Sequence, residues 1–338
     1  MTRRLIIHRA GPQLTVQDAG RLGLLGQGVS MGGAADPLAL AEGAALLRQP
    51  ADLAALEMAG IGGEFEATAD CRIALTGAPM SATLAGRTLA WNASHLLPAG
   101  ERLVIGAATA GSYGYRHLGG GIDTPKVLGS RAAHLAAGLG AVLKPGDSLP
   151  LGPDRGDEVG LVLDVDPRCN GGTIRMTRSM QTDLFDPAEL ARFQSTSFCR
   201  DARANRMGAR LDFEGAPFAA SGQLSILSEV IVPGDIQMTG DGAPFVLLPE
   251  CQTTGGYPRI GTVIPADMPR VAQAGPGAAL RFEVIGMEAA IEAQRRHVAA
   301  LAALRSAPRP LIRRPHDIAD LLSYQLIGGV ISAHHEGD

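Results

Sequence analysis

The chain has 338 residues with a net charge of −4, and its 46% apolar and 19% charged residues are typical of a folded protein long enough for two domains. It has no basic run and no interleaving of aromatic and basic residues, so a nucleic-acid partner is not expected. Four widely spaced cysteines without a C-x-x-C pair predict reduced, mostly buried thiols and argue against a zinc site or a disulfide framework.

The amino-terminal stretch MTRRLIIHRAGPQ contains only a short apolar run, which is well below the length of a signal-peptide core. No stretch of about 18 apolar residues follows that could span a membrane. We therefore expect a cytoplasmic protein without membrane contact.

Residues 64 to 106 consist of short alternating runs broken by turn residues, which is typical of a β-sandwich or barrel: EFEATA, CRIALTG, SATLAG, RTLAWN and ERLVIG. A weak echo of Pro-Gly turns that each lead into a strand recurs at 96–106, 142–152 and 273–285. Two β-rich halves would explain this echo. The composition shift between 144 and 172 then predicts a first domain of residues 1–155 and a second of 156–306.

Helices are few. Asp36-Pro37 and Asp186-Pro187 each predict a helix start with a capping carboxylate and proline at the first helical position. Residues 286–307 form the longest helical pattern. The prolines around 307–316 predict a linker, followed by a last short helix at 317–327 within a carboxy-terminal extension, 307–338.

Four segments rich in glycine and polar residues lie between the predicted strands, where loops on a rigid scaffold tend to carry function. The first, residues 15–37, holds Asp18, Arg21 and Asp36. Its glycines allow close approach of a ligand, but a tight connection in which Asp18 and Arg21 pair with each other is the plainer interpretation.

The second segment, residues 115–134, combines a glycine triplet with Ser130 and Arg131. Its backbone N–H groups could cradle an anion, or the triplet could serve only as a structural bend. The third, residues 202–211, places Asn205, Arg206 and Arg210 around Met207-Gly208. It is either an arginine fork for a carboxylate or carbonyl oxygen, or a solvated basic turn.

The fourth segment, residues 228–261, is the richest. It contains carboxylates, amides and a phenol suited to proton transfer and hydrogen bonding: Glu229, Gln237, Glu250, Gln252, Thr254 and Tyr257. Residues 239–242 predict a hairpin by their Asp-Gly signal, and residues 253–258 a second tight loop. A bend stabilised by a buried tyrosine is the structural alternative. No G-x-S-x-G, H-E-x-x-H, P-loop or Rossmann pattern is present, and no metal site is predicted.

These blocks resemble the signatures of the family that contains biotin-dependent carboxyltransferases and the C subunit of 5-oxoprolinase, also called the allophanate hydrolase subunit 2 or KipA type. The matching pieces run in order along the chain: TVQD with Gly20-Arg21, Gly33-Ala34-Ala35-Asp36, Gly129-Ser130-Arg131, Arg206-Met207-Gly208 with Arg210-Leu211, and QTTGGYP from Gln252. Departures include Glu42-Gly43 where Ala-Asn is usual, Ser179-Met180-Gln181 for Gly-Pro-Gln, Asp235 for a small residue, and Glu250-Cys251 where Asp is common.

The resemblance implies a mainly β fold of two cyclophilin-like β-barrel halves with a few short helices. It also implies the C subunit of an ATP-dependent 5-oxoprolinase that cleaves 5-oxoproline to glutamate. A KipI-type subunit would be the partner, with a LamB/YcsF-type protein as a further candidate. The chain has no A-M-K-M biotin motif and no ATP-grasp-like segment, so ATP is expected only at the level of the complex. The alternatives are a carboxyltransferase component of a biotin-dependent urea or amide carboxylase, with biotin supplied by a partner, and a non-catalytic KipA-like regulator.

Within this hypothesis a small amide or lactam binds between the halves and arginines polarise its carbonyl, since stabilising a developing oxyanion is usually the largest catalytic contribution. The predicted catalytic residues are Asp18, Arg21, Asp36, Arg131, Arg206 and Glu229. The predicted substrate-binding residues are Ser130, Asn205, Gln237, Gln252, Thr254 and Tyr257.

Overall fold

The computed structural model describes residues 3–221 and 226–312 and is mainly β, as predicted. We call residues 3–163 the first module and residues 172–284 the barrel module. No helix of the described residues is long and apolar enough to cross a membrane.

The first module consists of two sheets that face each other. Its strands are β1 Arg4–Ala10, β2 Leu14–Gln17, β3 Ala55–Ala59, β4 Gly63–Ala67, β5 Cys71–Gly77, β6 Met80–Leu84, β7 Arg87–Thr88, β8 Ala93–Leu97, β9 Arg102–Ala108, β10 Tyr113–Leu118, β11 Ser148–Pro150 and β12 Leu161–Val162. One sheet has the order β11-β1-β4-β9-β6-β7, and the other begins β2-β3-β10-β5-β8-β12. Apolar side chains of both sheets, such as Ile7, Phe65 and Ile73, share one core. Four of the alternating runs predicted over residues 64–106 are confirmed as strands, namely EFEATA, CRIALTG, SATLAG and ERLVIG. The run RTLAWN contributes only the two residues of β7, and β8 lies between the predicted runs.

The barrel module is a closed barrel of seven strands in the order β13-β20-β17-β18-β15-β14-β21. The strands after β12 are β13 Gly172–Thr177, β14 Phe198–Arg200, β15 Gly208–Phe213, β16 Glu229–Val230, β17 Asp235–Met238, β18 Pro244–Leu247, β19 Thr254–Gly255, β20 Arg259–Val263, β21 Ala279–Val284 and β22 Arg309–Pro310. β16 and β19 form a separate two-stranded sheet. The predicted hairpin is confirmed, because β17 and β18 pair antiparallel with Met238 opposite Pro244. Packed phenylalanines, including Phe193, Phe198 and Phe282, fill the barrel.

In the described part of the chain, four α-helices cover this framework: α1 Pro37–Leu46, α2 Pro187–Ser195, α3 Met268–Gln273 and α4 Met287–Ala303. Both predicted caps are confirmed, since Asp36 accepts the Ala39 N–H and Asp186 accepts the Ala188 N–H. A carboxylate at this position satisfies backbone donors that the first helical turn leaves unpaired. The short helix α3 was not predicted.

A buried ion-pair network joins the two modules at α1; we call it the seam. The Arg168 guanidinium donates to Asp36 at 2.7 Å and to both oxygens of Glu42 at 2.9 and 2.7 Å. Gln273 of α3 donates to the same Asp36 carboxylate at 2.8 Å. One apolar core also runs from α1 and β10 into the barrel. The modules therefore pack as one body around the seam.

The chain crosses back to the first module at its described end. Strand β12 pairs with β8 and with β22. The predicted boundary at residue 155 therefore lies before β12, although β12 still belongs to a sheet of the first module. The proline-rich linker predicted at 307–316 contains β22, because Arg309 pairs with Val162 there. The domain division itself stays a prediction, and the helix predicted at 317–327 lies outside the described residues.

Candidate functional site

The candidate site is an open cleft with two connected lobes beside the β15–β18 face of the barrel. The first, which we call the amide lobe, has a volume of about 380 Å³; the second, the hydroxyl lobe, about 460 Å³. Met207, Cys251 and Gln252 line both. The third and fourth polar segments of the sequence thus meet in one cleft, together with parts of the first and second.

The amide lobe presents uncharged hydrogen-bond donors over apolar walls. The Gln237 side chain is 7% exposed, and its Nε2 has no hydrogen-bond partner among the described residues. The Asn205 Oδ1 accepts the Met207 N–H at 2.8 Å, which leaves the Asn205 amino group free to donate. Ile231 and Phe245 form part of the apolar lining. Such a lobe suits a small ligand with acceptor oxygens.

Two arginines, Arg203 and Arg210, lie at the rim of the amide lobe. Arg203 and Arg210 both contact the Asp201 carboxylate, and Arg210 also reaches Asp241 at 3.1 Å. Hydrogen bonds from Arg203 lower the pKa of Asp201 to about 2. The rim is therefore cationic in part but largely compensated by its own carboxylates.

The hydroxyl lobe is lined by Ser30, His134, Glu250, Thr253 and Thr254. The Ser30 Oγ lies 2.8 Å from the His134 Nε2. Burial lowers the pKa of His134, and the nearby Glu250 carboxylate only partly opposes this shift, so the imidazole is neutral at pH 7. The sequence-predicted Thr254 and Gln252 belong to this lobe.

Arg206 lies beneath the cleft and is already engaged by protein groups. Its Nε donates to Glu250 at 2.5 Å, its Nη1 donates to Glu57 and its Nη2 to the Gly33 carbonyl. Although burial lowers the pKa of Arg206, the Glu57 and Glu250 carboxylates raise it by more. The guanidinium is thus a permanently charged link between strand β3 and the barrel, with little capacity left to polarise a ligand.

Glu250 and Glu57 are equally saturated. Glu250 Oε2 accepts the N–H groups of Leu135 and Ala136 at 2.9 and 3.3 Å. Glu57 Oε2 accepts the Tyr115 hydroxyl at 2.5 Å and the Ala35 N–H at 2.8 Å. With this many donors already bound, each carboxylate is a fixed part of the site rather than a free hydrogen-bond acceptor for a ligand.

The first and second segments meet through Asp18, but not in the way the plainer interpretation predicted. Asp18 accepts the Ser130 hydroxyl at 2.5 Å and the Arg131 N–H at 2.7 Å, and no Asp18–Arg21 ion pair is present among the described residues. Arg21 instead donates to backbone carbonyls, including Ala132 at 2.6 Å. Its Nη1 has no partner there, and burial lowers the pKa of Arg21. The Glu250 carboxylate is close enough to raise the pKa of Arg21 by its charge. Because Glu250 lines the hydroxyl lobe, this cluster adjoins that lobe.

The other predicted site residues lie outside the two lobes. The Arg131 side chain pairs with Asp123, and Asp36 belongs to the seam. Glu229 pairs with Arg259 at 2.5 Å and accepts from Gln181 at 2.8 Å. Tyr257 is 47% exposed, so the structural alternative of a buried tyrosine is wrong. The catalytic roles of Arg131, Asp36 and Glu229 and the substrate-binding role of Tyr257 stay predictions.

The glycine triplet of the second segment is a structural bend. A Cβ at Gly119 would lie 1.9 Å from the Asp154 carboxylate, and one at Gly120 would lie 2.4 Å from the Gly152 carbonyl oxygen. The backbone therefore packs too closely against residues 152–154 for any side chain. No anion cradle is required to explain it.

Three residues of the site were not predicted from the sequence: Ser30, His134 and Glu57. Glu57 had a usable signal, because it is a carboxylate within the apolar strand ALEMA and is fully buried there. Ser30 and His134 had none, since a lone histidine and a serine in a glycine-rich loop are common surface residues. Their proximity depends on a contact across 104 positions of the chain.

Cys251 lines both lobes but is a poor nucleophile. Burial raises the pKa of its thiol to about 12, and Asp235 adds to the shift. All four cysteines are free, with Cys71 and Cys251 buried and the other two half-buried. Within residues 3–221 and 226–312, no group of three or more His, Cys, Asp or Glu side chains is arranged to hold a metal ion.

The fold is that of the carboxyltransferase-domain class of proteins. The model of the family "Carboxyltransferase domain, subdomain A and B" matches residues 27–284, and the chain belongs to this family. The chain is 36% identical to the C subunit of 5-oxoprolinase from Escherichia coli, with 86% of the chain and 94% of that protein covered. It is 30% identical to the corresponding 5-oxoprolinase protein of Haemophilus influenzae, with 84% of the chain and 92% of that protein covered.

Among solved structures, the crystal structure of TTHA0988 is similar, with a TM-score of 0.76 and 28% identity over 83% of this chain. The match covers 56% of the TTHA0988 chain, so this chain spans about half of that protein. The family resemblance inferred from the sequence blocks is therefore confirmed.

Proposed function

We propose that the chain is the C subunit of a heteromeric, ATP-dependent 5-oxoprolinase-type complex and that its two-lobed cleft binds 5-oxoproline. The similarity to the C subunit of Escherichia coli 5-oxoprolinase, which extends over 94% of that protein, supports this assignment. The proposed partner is a KipI-type protein, with a LamB/YcsF-type protein as a further component. ATP would act at the level of the complex.

The observation that carries the proposal is the Gln237 Nε2 in the amide lobe, which has no hydrogen-bond partner among the residues that the structure describes. Leaving a buried N–H donor unpaired costs about 1–3 kcal/mol, and a ligand oxygen would remove that cost. 5-Oxoproline offers such oxygens in its ring carbonyl and its carboxylate. Glycine at position 255 leaves room beside this amide, because a Cβ there would lie only 2.6 Å from the Gln237 Nε2.

The overall reaction consumes two water molecules. One adds its oxygen to the ring carbonyl carbon as the C–N bond breaks, so that the ring nitrogen takes up protons and glutamate forms. The second hydrolyses ATP to ADP and phosphate. This chain would contribute the binding and orientation of the lactam, and the partner proteins the remaining machinery.

Arg206 is unsuitable for testing the site. Removing its guanidinium would leave Glu57 and Glu250 as unpaired buried carboxylates, a change that typically costs about 3–5 kcal/mol. A loss of activity in Arg206→Ala would therefore report on folding. Gln237→Leu is better, because it removes one unpartnered donor and keeps a similar volume.

The test is ATP-dependent glutamate formation from 5-oxoproline by the chain co-expressed with its partner proteins. Gln237→Leu should raise the KM for 5-oxoproline about tenfold, since one hydrogen bond of about 1.4 kcal/mol is lost. Gln13→Leu, which changes an exposed glutamine, serves as the matched control. Absence of turnover by the assembled wild-type complex would refute the proposal, and an unchanged KM in Gln237→Leu would remove the amide lobe from the site.

A further inference from the structure

Ser30 and His134 form a buried pair in the hydroxyl lobe that no prediction included. Ser30 is 2% and His134 3% exposed, and the two side chains meet at 2.8 Å. Ser30 approaches from the loop before α1, and His134 caps the 3₁₀ turn Leu135–Ala137. Both line the cleft, so the pair faces whatever ligand the lobe holds.

The direction of this hydrogen bond follows from the other ring nitrogen. The His134 Nδ1 accepts the Ala137 N–H at 3.2 Å, so in the neutral imidazole the proton is on Nε2. The Nε2–H therefore donates to the Ser30 Oγ. The Ser30 hydroxyl makes no other hydrogen bond among the described residues, and its own proton remains available to a ligand.

The charges around the lobe indicate which ligand group this proton would meet. The Glu250 carboxylate is balanced by Arg206, and the nitrogens of Arg206 are taken by Glu250, Glu57 and the Gly33 carbonyl. None of the residues that line the hydroxyl lobe is a cation, and Arg21 adjoins the lobe without lining it. A hydroxyl donor in a lobe without a lining cation suits an uncharged carbonyl oxygen. Two arginines lie at the rim of the amide lobe, and although carboxylates pair with both, the Arg210 Nε–H has no hydrogen-bond partner among the described residues.

We propose that the Ser30 hydroxyl binds the carbonyl oxygen of a lactam or amide, and that His134 is a positioning residue that fixes this hydroxyl as a donor. The amide lobe, with Gln237 and the arginine rim, then takes the carboxylate of the same ligand. The identity of the substrate in this inference rests on the proposed function. The direction of the hydrogen bond between His134 and Ser30 is independent of it.

The first test is structural and requires no activity. Nitrogen-15 NMR of the full chain should show His134 as the Nε2–H tautomer at pH 7. The Nδ1–H tautomer would overturn the inference, because the Ser30 proton would then be committed to the imidazole.

The second test separates the two lobes with three ligands. 5-Oxoproline carries both the lactam carbonyl and the carboxylate, 2-pyrrolidinone only the carbonyl, and cyclopentanecarboxylate only the carboxylate. Binding to the full chain is followed by NMR titration. Ser30→Ala should weaken the binding of 5-oxoproline and 2-pyrrolidinone about tenfold and leave that of cyclopentanecarboxylate unchanged, whereas Gln237→Leu should weaken the binding of 5-oxoproline and cyclopentanecarboxylate only.

Variants of the positioning residue complete the test. His134→Gln can place an amide N–H near the position of Nε2 and should retain the affinity for 2-pyrrolidinone, whereas His134→Leu should lose it to the level of Ser30→Ala. Equal unfolding temperatures of the two variants would show that a difference in affinity comes from positioning and not from folding.

Equal affinities of Ser30→Ala and wild type for 2-pyrrolidinone would overturn the inference even if the complex cleaves 5-oxoproline. Conversely, an inactive complex that still shows the Ser30 dependence would refute only the proposed substrate.

Discussion

At the scale of single residues, burial decides which titratable groups the site uses. His134, Glu250 and Arg206 are all buried. Arg206 and Glu250 pair with each other, whereas burial lowers the pKa of His134 and leaves its imidazole uncharged. Burial penalises the charged form of any group, and only a close counter-charge or several hydrogen bonds offset it. The charged residues therefore form a fixed framework, and the neutral hydroxyl, amide and imidazole groups face the cleft.

Burial of His117 should make the free energy of unfolding depend on pH. Desolvation lowers the pKa of its imidazole to about 3, and its Nε2 lies 2.8 Å from the Thr76 hydroxyl. An unfolded histidine titrates near about 6.5, so below that pH the unfolded chain binds a proton that the native state excludes. The stability contribution is complete above about pH 6.5 and should fall by about 1.4 kcal/mol per unit as the pH drops towards the folded pKa.

The measurement is the free energy of unfolding in urea at several values between about pH 4 and pH 7, the interval between the folded and unfolded pKa of a buried neutral histidine. His117→Gln should show a shallower decline than wild type over this interval, whatever its stability at pH 7. Parallel declines for the two proteins would contradict the low pKa of His117.

At the scale of elements, helix α1 shows how a local rule gives way to packing. Its N-terminus follows the expected pattern of Asp36 followed by proline. In its interior, however, Glu42 is a buried carboxylate, and Gly43 is a residue of low helix propensity. Glu42 binds Arg168 of the seam. Gly43 lets the helix contact strand β10, since a Cβ at this position would lie 2.1 Å from the His117 ring. Glu42 and Gly43 thus serve the contact between α1 and the rest of the molecule.

Gly43→Ala should therefore destabilise the protein. The gain in helix propensity is about 1 kcal/mol, but overpacking against the His117 ring costs about 1–3 kcal/mol and displaces α1 from β10. We expect a net loss, measured as a lower midpoint in urea. The double variant Gly43→Ala with His117→Ala should recover part of it, because the smaller side chain removes the clash. A more stable Gly43→Ala would show that the contact is loose.

At the scale of the whole molecule, the cleft depends on how the two modules are joined. The hydroxyl lobe takes Ser30 and His134 from the first module and Glu250 from the barrel module, so neither module carries the lobe alone. The seam and the shared apolar core hold the two modules in a fixed relative position. We therefore expect both modules to unfold in a single transition.

Arg168→Met tests the seam. The substitution leaves the Asp36 and Glu42 carboxylates buried without their guanidinium and should lower the free energy of unfolding by about 3–5 kcal/mol. Arg178→Met is the matched control, because its pair with Asp183 is 52% and 88% exposed and is worth at most about 1 kcal/mol. Calorimetry should show one transition in wild type. Two separate transitions, or equal losses in the two variants, would count against the seam as the element that couples the modules.

Several local features of this protein follow from short stretches of its sequence: most of the alternating strands of residues 64–106, the β17–β18 hairpin and the caps at Asp36 and Asp186. Side-chain alternation, turn chemistry and capping act within a few residues, so they can be read along the chain. The family blocks also indicated that the segments around 18–36, 205–210 and 237–257 belong together.

Which of those residues line the cleft follows only from the way the whole chain packs. Arg206, Asp36 and Arg131 are each engaged by oppositely charged partners elsewhere in the chain, while Ser30 and His134 meet across the fold. Whether a charged side chain is free or saturated depends on burial and on the partners that folding brings to it, and no local pattern encodes either.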